Sequence, residues 1–291
     1  MSIIGAATAL LTSLLWALAA TLYRGAAVEV GDPLATNWLR APLALAFMAT
    51  LSWSLGELDE LAAVLQGGWR LSWILLATTL AIILGDTFYL MALRDAGVSI
   101  GYPVGYTYPL YASMFAVALL GEQATLGLAI GLPFALAGIW TASFNPPRGL
   151  GNRKAILKGV SAAVAAGLCW GLGSVVYRVA VIATSPINVN LVKLLYLIIA
   201  TSPFAWRRRL KVRRQALLLA LLGGLIGLGA GDWLFYASLS MIGVAETVTL
   251  TTFSPLASLL LARLLLHEEA SSRQALGASM IVAGVCIAVW L

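Results

Sequence analysis

The chain has 291 residues, of which 61% are hydrophobic and only 10% charged, and its mean hydropathy is +0.93. A water-soluble domain cannot hide that much apolar surface, whereas lipid accepts it, so the bilayer is expected to be the solvent for most of the chain. The net charge of +6 comes from basic residues in short loops between apolar runs, which excludes a basic nucleic-acid face and reads as a topology signal.

Each membrane crossing needs about 20 apolar residues. Ten such segments follow one another, near 3–23, 34–54, 71–91, 98–120, 125–144, 159–179, 186–206, 216–239, 244–266 and 275–291. They nearly exhaust the chain. The first lacks a basic leader and is long enough to span, so it is read as a transmembrane helix and not as a cleaved signal.

The segments form two sets. Gly85-Asp86, Gly97-Val98, Pro109-Leu110, Glu122, Gly131 and Ala137-Gly138 recur 146 positions later. The second copies are Gly231-Asp232, Gly243-Val244, Pro255-Leu256, Glu268, Gly277 and Ala283-Gly284. Earlier in each half, Leu14-Leu15-Trp16 and Tyr23-Arg24 match Leu168-Cys169-Trp170 and Tyr177-Arg178, and Asn37 and Arg40 match Asn190 and Lys193. The predicted organisation is a first five-helix repeat over 1–145, a Pro/Gly-rich linker over 146–154 and a second repeat over 155–291.

Five is odd, so the second repeat must enter the membrane from the opposite side. Charges agree: Glu57, Asp59 and Glu60 follow the second segment, whereas the equivalent loop after the seventh runs through Arg207, Arg208, Arg209, Lys211, Arg213 and Arg214. Of 18 Lys and Arg residues, 14 fall at odd-numbered loops, only Arg70 and Arg178 fall at the other side, and Arg40 and Lys193 lie within spans. Basic loops stay cytoplasmic, which puts both termini outside.

The stretch Ser254-Pro255 to Glu268, continuing into Gly277 to Gly284, resembles the EamA branch of the drug/metabolite transporter superfamily: a proline, an apolar run, a glutamate, then a glycine-bearing last helix. Tyr108-Pro109 to Glu122 and Gly138 carry a weaker version, and Trp16 and Trp170 resemble the tryptophan-bearing first helix of each family repeat. The resemblance implies an all-α membrane protein with ten transmembrane helices in two inverted five-helix repeats around a central cavity. It also implies a secondary transporter in the plasma membrane, exporting or exchanging amino acids, metabolites or drugs by alternating access. The family norm places both termini in the cytoplasm, against the loop charges here.

Asp86 and Asp232 are the sharpest candidates for chemistry, because a carboxylate within an apolar span must face protein, water or a cation, or be protonated. They read either as proton-coupling or substrate-amine sites, with protons the candidate coupling ion, or as helix-to-helix hydrogen bonds. Gly85 and Gly231 before them would let a neighbouring helix or ligand approach closely. Asp86 is expected to matter more, because it lies beside the tyrosine-rich fourth segment.

In that segment, Gly101, Pro103, Gly105 and Pro109 weaken helical hydrogen bonding, which a membrane tolerates only where backbone meets protein or a wet cavity. Tyr102 and Tyr106 share one face, Tyr108 and Tyr111 offer another, and the matching Thr247 to Pro255 is hydroxyl-rich with Phe253. Tyr102, Tyr106, Tyr89, Tyr236 and Phe253, with Trp16, Trp170, Asp86 and Asp232, make the candidate contacts for a small amphipathic solute. Trp16 and Trp170, mid-span, face the cavity on one reading and fill the bundle core on another.

Asn37 and Asn190 read as helix caps or ligand contacts, and Arg40 and Lys193 as snorkelling side chains. Glu122, Glu268 and Glu246 sit near helix starts, where carboxylates are structural. Cys169 and Cys286 have no CxxC partner and read as packing residues; His267 stands alone, so neither a metal nor a catalytic set is expected, and no cofactor. An intramembrane enzyme or a membrane scaffold or sensor is the alternative class. Substrate and oligomeric state do not follow from these residues.

Overall fold

The computed structural model describes residues 2–120, 126–143, 152–181, 184–207, 212–242, 247, 250–266 and 271–290. Glu122, Glu246, His267 and Glu268, most of the linker, and 208–211 of the basic loop lie outside the described residues.

All regular structure among the described residues is helical. The first half runs α1 (Ile3–Val30), α2 (Pro33–Leu39), α3 (Ala41–Ser54), α4 (Leu58–Leu65), α5 (Trp69–Thr78), α6 (Asp86–Ala96), α7 (Val98–Gly105), α8 (Tyr108–Leu120) and α9 (Leu126–Ser143). The second runs α10 (Arg153–Val181), α11 (Pro186–Arg207), α12 (Arg214–Gly224), α13 (Asp232–Ile242), α14 (Ser254–Leu266) and α15 (Ser272–Trp290). Five helices are long and apolar enough to cross a membrane, or six if Pro33–Ser54 and Leu58–Leu65, bent by 119°, count as one span; shorter apolar helices fill the rest.

Local chemistry sets the boundaries. Gly31, at φ 71°, closes α1, and the next helix opens on Asp32, whose carboxylate accepts the Ala35 N–H at 3.0 Å ahead of Pro33. Pro42 can donate no backbone N–H, and α2 gives way to α3 at Arg40. The fourth segment breaks at Tyr106-Thr107, just before Pro109, and its second copy breaks 146 positions later at Thr252-Phe253, before Pro255.

Two π-helical segments, Thr79–Gly85 and Leu225–Gly231, join α5 to α6 and α12 to α13, again 146 positions apart. Each ends directly before one of the two aspartates.

The halves are interlocked. α1 packs along α12, α13 and α14, whereas α10 packs along α5 to α8, so each half inserts its first helix into the other. α9 and α15 form the most extensive pair. Gly138 faces the Gly277 carbonyl and Gly284 faces the Gly131 carbonyl, each 2.7 Å from where a Cβ would stand, so these helices cross antiparallel at bare glycines.

Large apolar side chains point outward along the helices, Leu14 at 50%, Ile199 at 67% and Leu260 at 60% exposure, which suits lipid and not water. The loops after the first, third and seventh segments meet: Arg24 donates to the Arg94 carbonyl, Arg94 to the Gly31 carbonyl at 2.8 Å, and Arg213 lies 3.6 Å from Glu29. At another contact, Glu57 and Glu60 accept from Ser185 and Asn188, joining the loops after the second and sixth segments.

Candidate functional site

The site starts from the π-helical segments. Asp86 N–H bonds the Ala81 carbonyl, five residues back, which frees the Ile82 carbonyl that an α-helix would have used. Asn37 Nδ2 donates to that freed carbonyl at 2.9 Å. Asp232 N–H likewise bonds the Gly227 carbonyl, and Asn190 Nδ2 donates to the Leu228 carbonyl at 3.0 Å. The two asparagines lie inside α2 and α11 and are therefore not caps; they satisfy backbone that the π turns leave open.

The same geometry aims the aspartates inward. Arg40 pairs with Asp86 Oδ2 and Lys193 with Asp232 Oδ2. Trp170 Nε1 donates to Asp86 Oδ1 at 2.7 Å, and Trp16 Nε1 to Asp232 Oδ1 at 2.8 Å. Each carboxylate thus takes its cation from its own half and its indole from the other half. The glycine before each aspartate is the reason the indole reaches: a Cβ on Gly85 or Gly231 would stand 2.8 Å from Trp170 or Trp16 Cδ1.

Arg40 and Lys193 do not snorkel. They are 1% and 0% exposed, because each is packed against a buried carboxylate within the bundle. A buried guanidinium or ammonium without a counter-ion costs several kcal/mol, and the ion pair offsets much of that. The aspartates are thus bonded between helices, with charged and indole partners.

A cavity of about 170 Å³ opens between the two triads, larger than the ~150 Å³ void that holds a benzene ring in an apolar core. Asp86, Asp232, Trp16 and Trp170 line it, with Tyr89, Tyr102, Tyr106 and Tyr236. Trp170 packs 5.1 Å from Tyr89 and Trp16 5.0 Å from Phe235, contacts between equivalent positions of the two halves. Tyr102 and Tyr106 stack at 4.7 Å, and the Tyr102 hydroxyl meets Ser254 Oγ at 2.6 Å.

Eight of the nine candidate contacts therefore meet at one cavity. Phe253 does not: it is 53% exposed on the outer surface, in register with Thr107 and not with either cavity tyrosine. Tyr111 is buried away from the cavity, and Tyr108 lines it.

The cavity also holds residues outside the expected set. Arg40, Tyr23, Tyr177 and Phe235 line it. The guanidinium of Arg40 lies 4.7 Å over the Tyr23 ring. The repeat register carried the signal for them, since Tyr23 matches Tyr177 and Phe235 matches Tyr89.

No curated protein matches the chain. One solved crystal structure, 20% identical, covers 98% of this chain and 96% of its own with a TM-score of 0.65, a likeness of fold alone. The EamA-like transporter family matches twice, at residues 3–144 and 157–290. With its spanning apolar helices, this makes the chain a multi-pass membrane protein, and it belongs to the EamA-like transporter family.

Proposed function

We propose that the chain is a secondary transporter, exporter or exchanger, that moves a small amphipathic metabolite, amino acid or drug through the central cavity by alternating access. The observation that carries this reading is the paired site: two carboxylate–cation–indole triads, each joining both halves, that face one aromatic cavity. Such a site at the junction of two repeats is where rocking of one half against the other would expose a bound solute to alternate sides.

On this reading the shorter helices complete ten crossings, in halves 1–145 and 155–291 joined by the 146–154 linker. The basic odd-numbered loops face the cytoplasm and both termini face outside. Aromatic faces with neutralised charge suit amphipathic solutes over strongly charged ones.

Counterflow into proteoliposomes tests it, with amino acids, nucleobases and cationic and neutral aromatic drugs as a panel. Trans-loaded solute should accelerate uptake of its labelled form at least several-fold over empty liposomes. A panel in which no solute exchanges faster than in empty liposomes, from protein shown to be folded, counts against the proposal.

A further inference from the structure

The two halves differ where the first carries extra chain. Asn37 and Arg40 recur 153 positions on, but Gly85 and Asp86 recur 146 on, so the first half has seven more residues between these points. α4 lies in that stretch. Only the six residues 208–213 separate α11 from α12, too few for a counterpart of its eight.

α4 turns 119° from the α2–α3 segment, and glycines at positive φ bracket it: Gly56 at 72° before it, Gly67 at 102° and Gly68 at 94° after it. None of the three has an atom within 4 Å of where a Cβ would stand, so backbone conformation and not packing sets these turns. The inner face of α4 is apolar. Leu61 and Val64 pack among Ile74 of α5, Tyr177 and Ala180 of α10, and Val189 and Val192 of α11. Tyr177 also lines the central cavity, so α4 sits over that wall of it.

The polar edge of α4 binds the start of α11. Glu57 accepts from Ser185 Oγ, and Glu60 accepts from the Ser185 N–H at 3.0 Å and from Asn188 Nδ2 at 2.8 Å. Asn188 Nδ2 also reaches the Glu57 carbonyl at 3.1 Å, and its Oδ1 accepts from Ser52 Oγ at 3.2 Å. Ser185 is the cap of α11, its carbonyl taking the Val189 N–H at 2.9 Å. In a capping box a glutamate of the same helix serves the cap N–H; here a glutamate of the other half does. Away from this end the halves also meet through Arg213–Glu29 at 3.6 Å and Lys158–Asp95 at 3.9 Å, wider pairs whose cations are 87% and 61% exposed.

Resting on the transporter reading above, we propose that α4 is a one-sided latch. It holds the cavity shut at the loops after the second and sixth segments, and it must lift off α11 on its glycine hinges for a solute to pass there. The second half has no such part, so the two faces of the protein open at unlike cost.

Labelling of a cavity thiol tests this on the purified full chain in detergent. Ser174→Cys, in a Cys169→Ala background, puts a thiol on the cavity wall one turn before Tyr177, and native Cys286 on α15 is the control. A bulky hydrophilic maleimide is added, and each site is read by peptide mass spectrometry. Asn188→Asp sets a second carboxylate against Glu60. It should speed labelling of the cavity thiol about tenfold or more, the change expected from losing a hydrogen bond to a charged group. Adding Glu60→Gln restores a donor and an acceptor with their roles exchanged, and should return the rate to near that of the parent. Asp59→Ala, on the exposed side of α4, should change nothing. Where Asn188→Asp fails to fold, Glu57→Ala takes its place. Unchanged labelling in a folded Asn188→Asp or Glu57→Ala, no rescue by Glu60→Gln, or an equal rise at Cys286 overturns the inference. No solute takes part in the labelling, so its failure is distinct from a silent counterflow panel.

Discussion

At the scale of single residues, the indoles of Trp16 and Trp170 resolve the choice between cavity wall and core filler by being both. Each ring face packs in an aromatic cluster while its one N–H donor reaches a carboxylate across the repeat boundary. Trp170→Phe keeps most of the ring and removes the donor. It should lower unfolding stability in detergent by about 1.5–3 kcal/mol, the range for a hydrogen bond to a charged group, seen as an earlier thermal midpoint. An unchanged midpoint would show that Asp86 is held by Arg40 alone.

At the scale of elements, the π-helical segments do the positioning. Shifting the backbone bond of each aspartate to the fifth carbonyl back swings its side chain and exposes a carbonyl for asparagine. The α2–α3 break at Arg40 depends on a second close approach, because a Cβ on Gly224 would stand 1.6 Å from the Arg40 carbonyl oxygen. That neighbour is backbone and cannot swing away. Gly224→Ala should therefore push α12 off Arg40 and destabilise the fold by at least the ~1–3 kcal/mol typical of overpacking, read as lost monodisperse protein on size exclusion. Gly31→Ala makes the contrast: nothing lies within 4 Å of its Cβ, and its cost would come from φ 71° alone.

At the scale of the whole molecule, the swapped first helices make the halves inseparable, since each carboxylate depends on an indole from the other half. The gathering of Arg24, Arg94 and Arg213 at one end gives the topology proposal a physical anchor, because a cluster of guanidinium groups resists translocation. A C-terminal reporter active only in the cytoplasm should stay silent in cells, and a bright signal would reverse the proposed orientation.

Apolar segments, the 146-residue repeat, the prolines at the broken fourth helix and the buried aspartates were all legible in the sequence, because composition and turn chemistry are local properties. The same repeat register held the clue that Phe253 aligns with Thr107 and so away from the cavity tyrosines. Only the tertiary structure decided that Arg40 and Lys193 are ion-paired and buried, since a long basic side chain near a helix end reaches water or a carboxylate depending on what packs beside it. It alone showed the π turns as well. Their i→i−5 bonds hold because Asn37 and Asn190, 45 and 38 residues away in sequence, satisfy the carbonyls left over. The crossing of indoles between halves belongs to the same class: pairs such as Trp16 with Asp232, 216 residues apart, form where two helices meet and at no spacing a sequence displays.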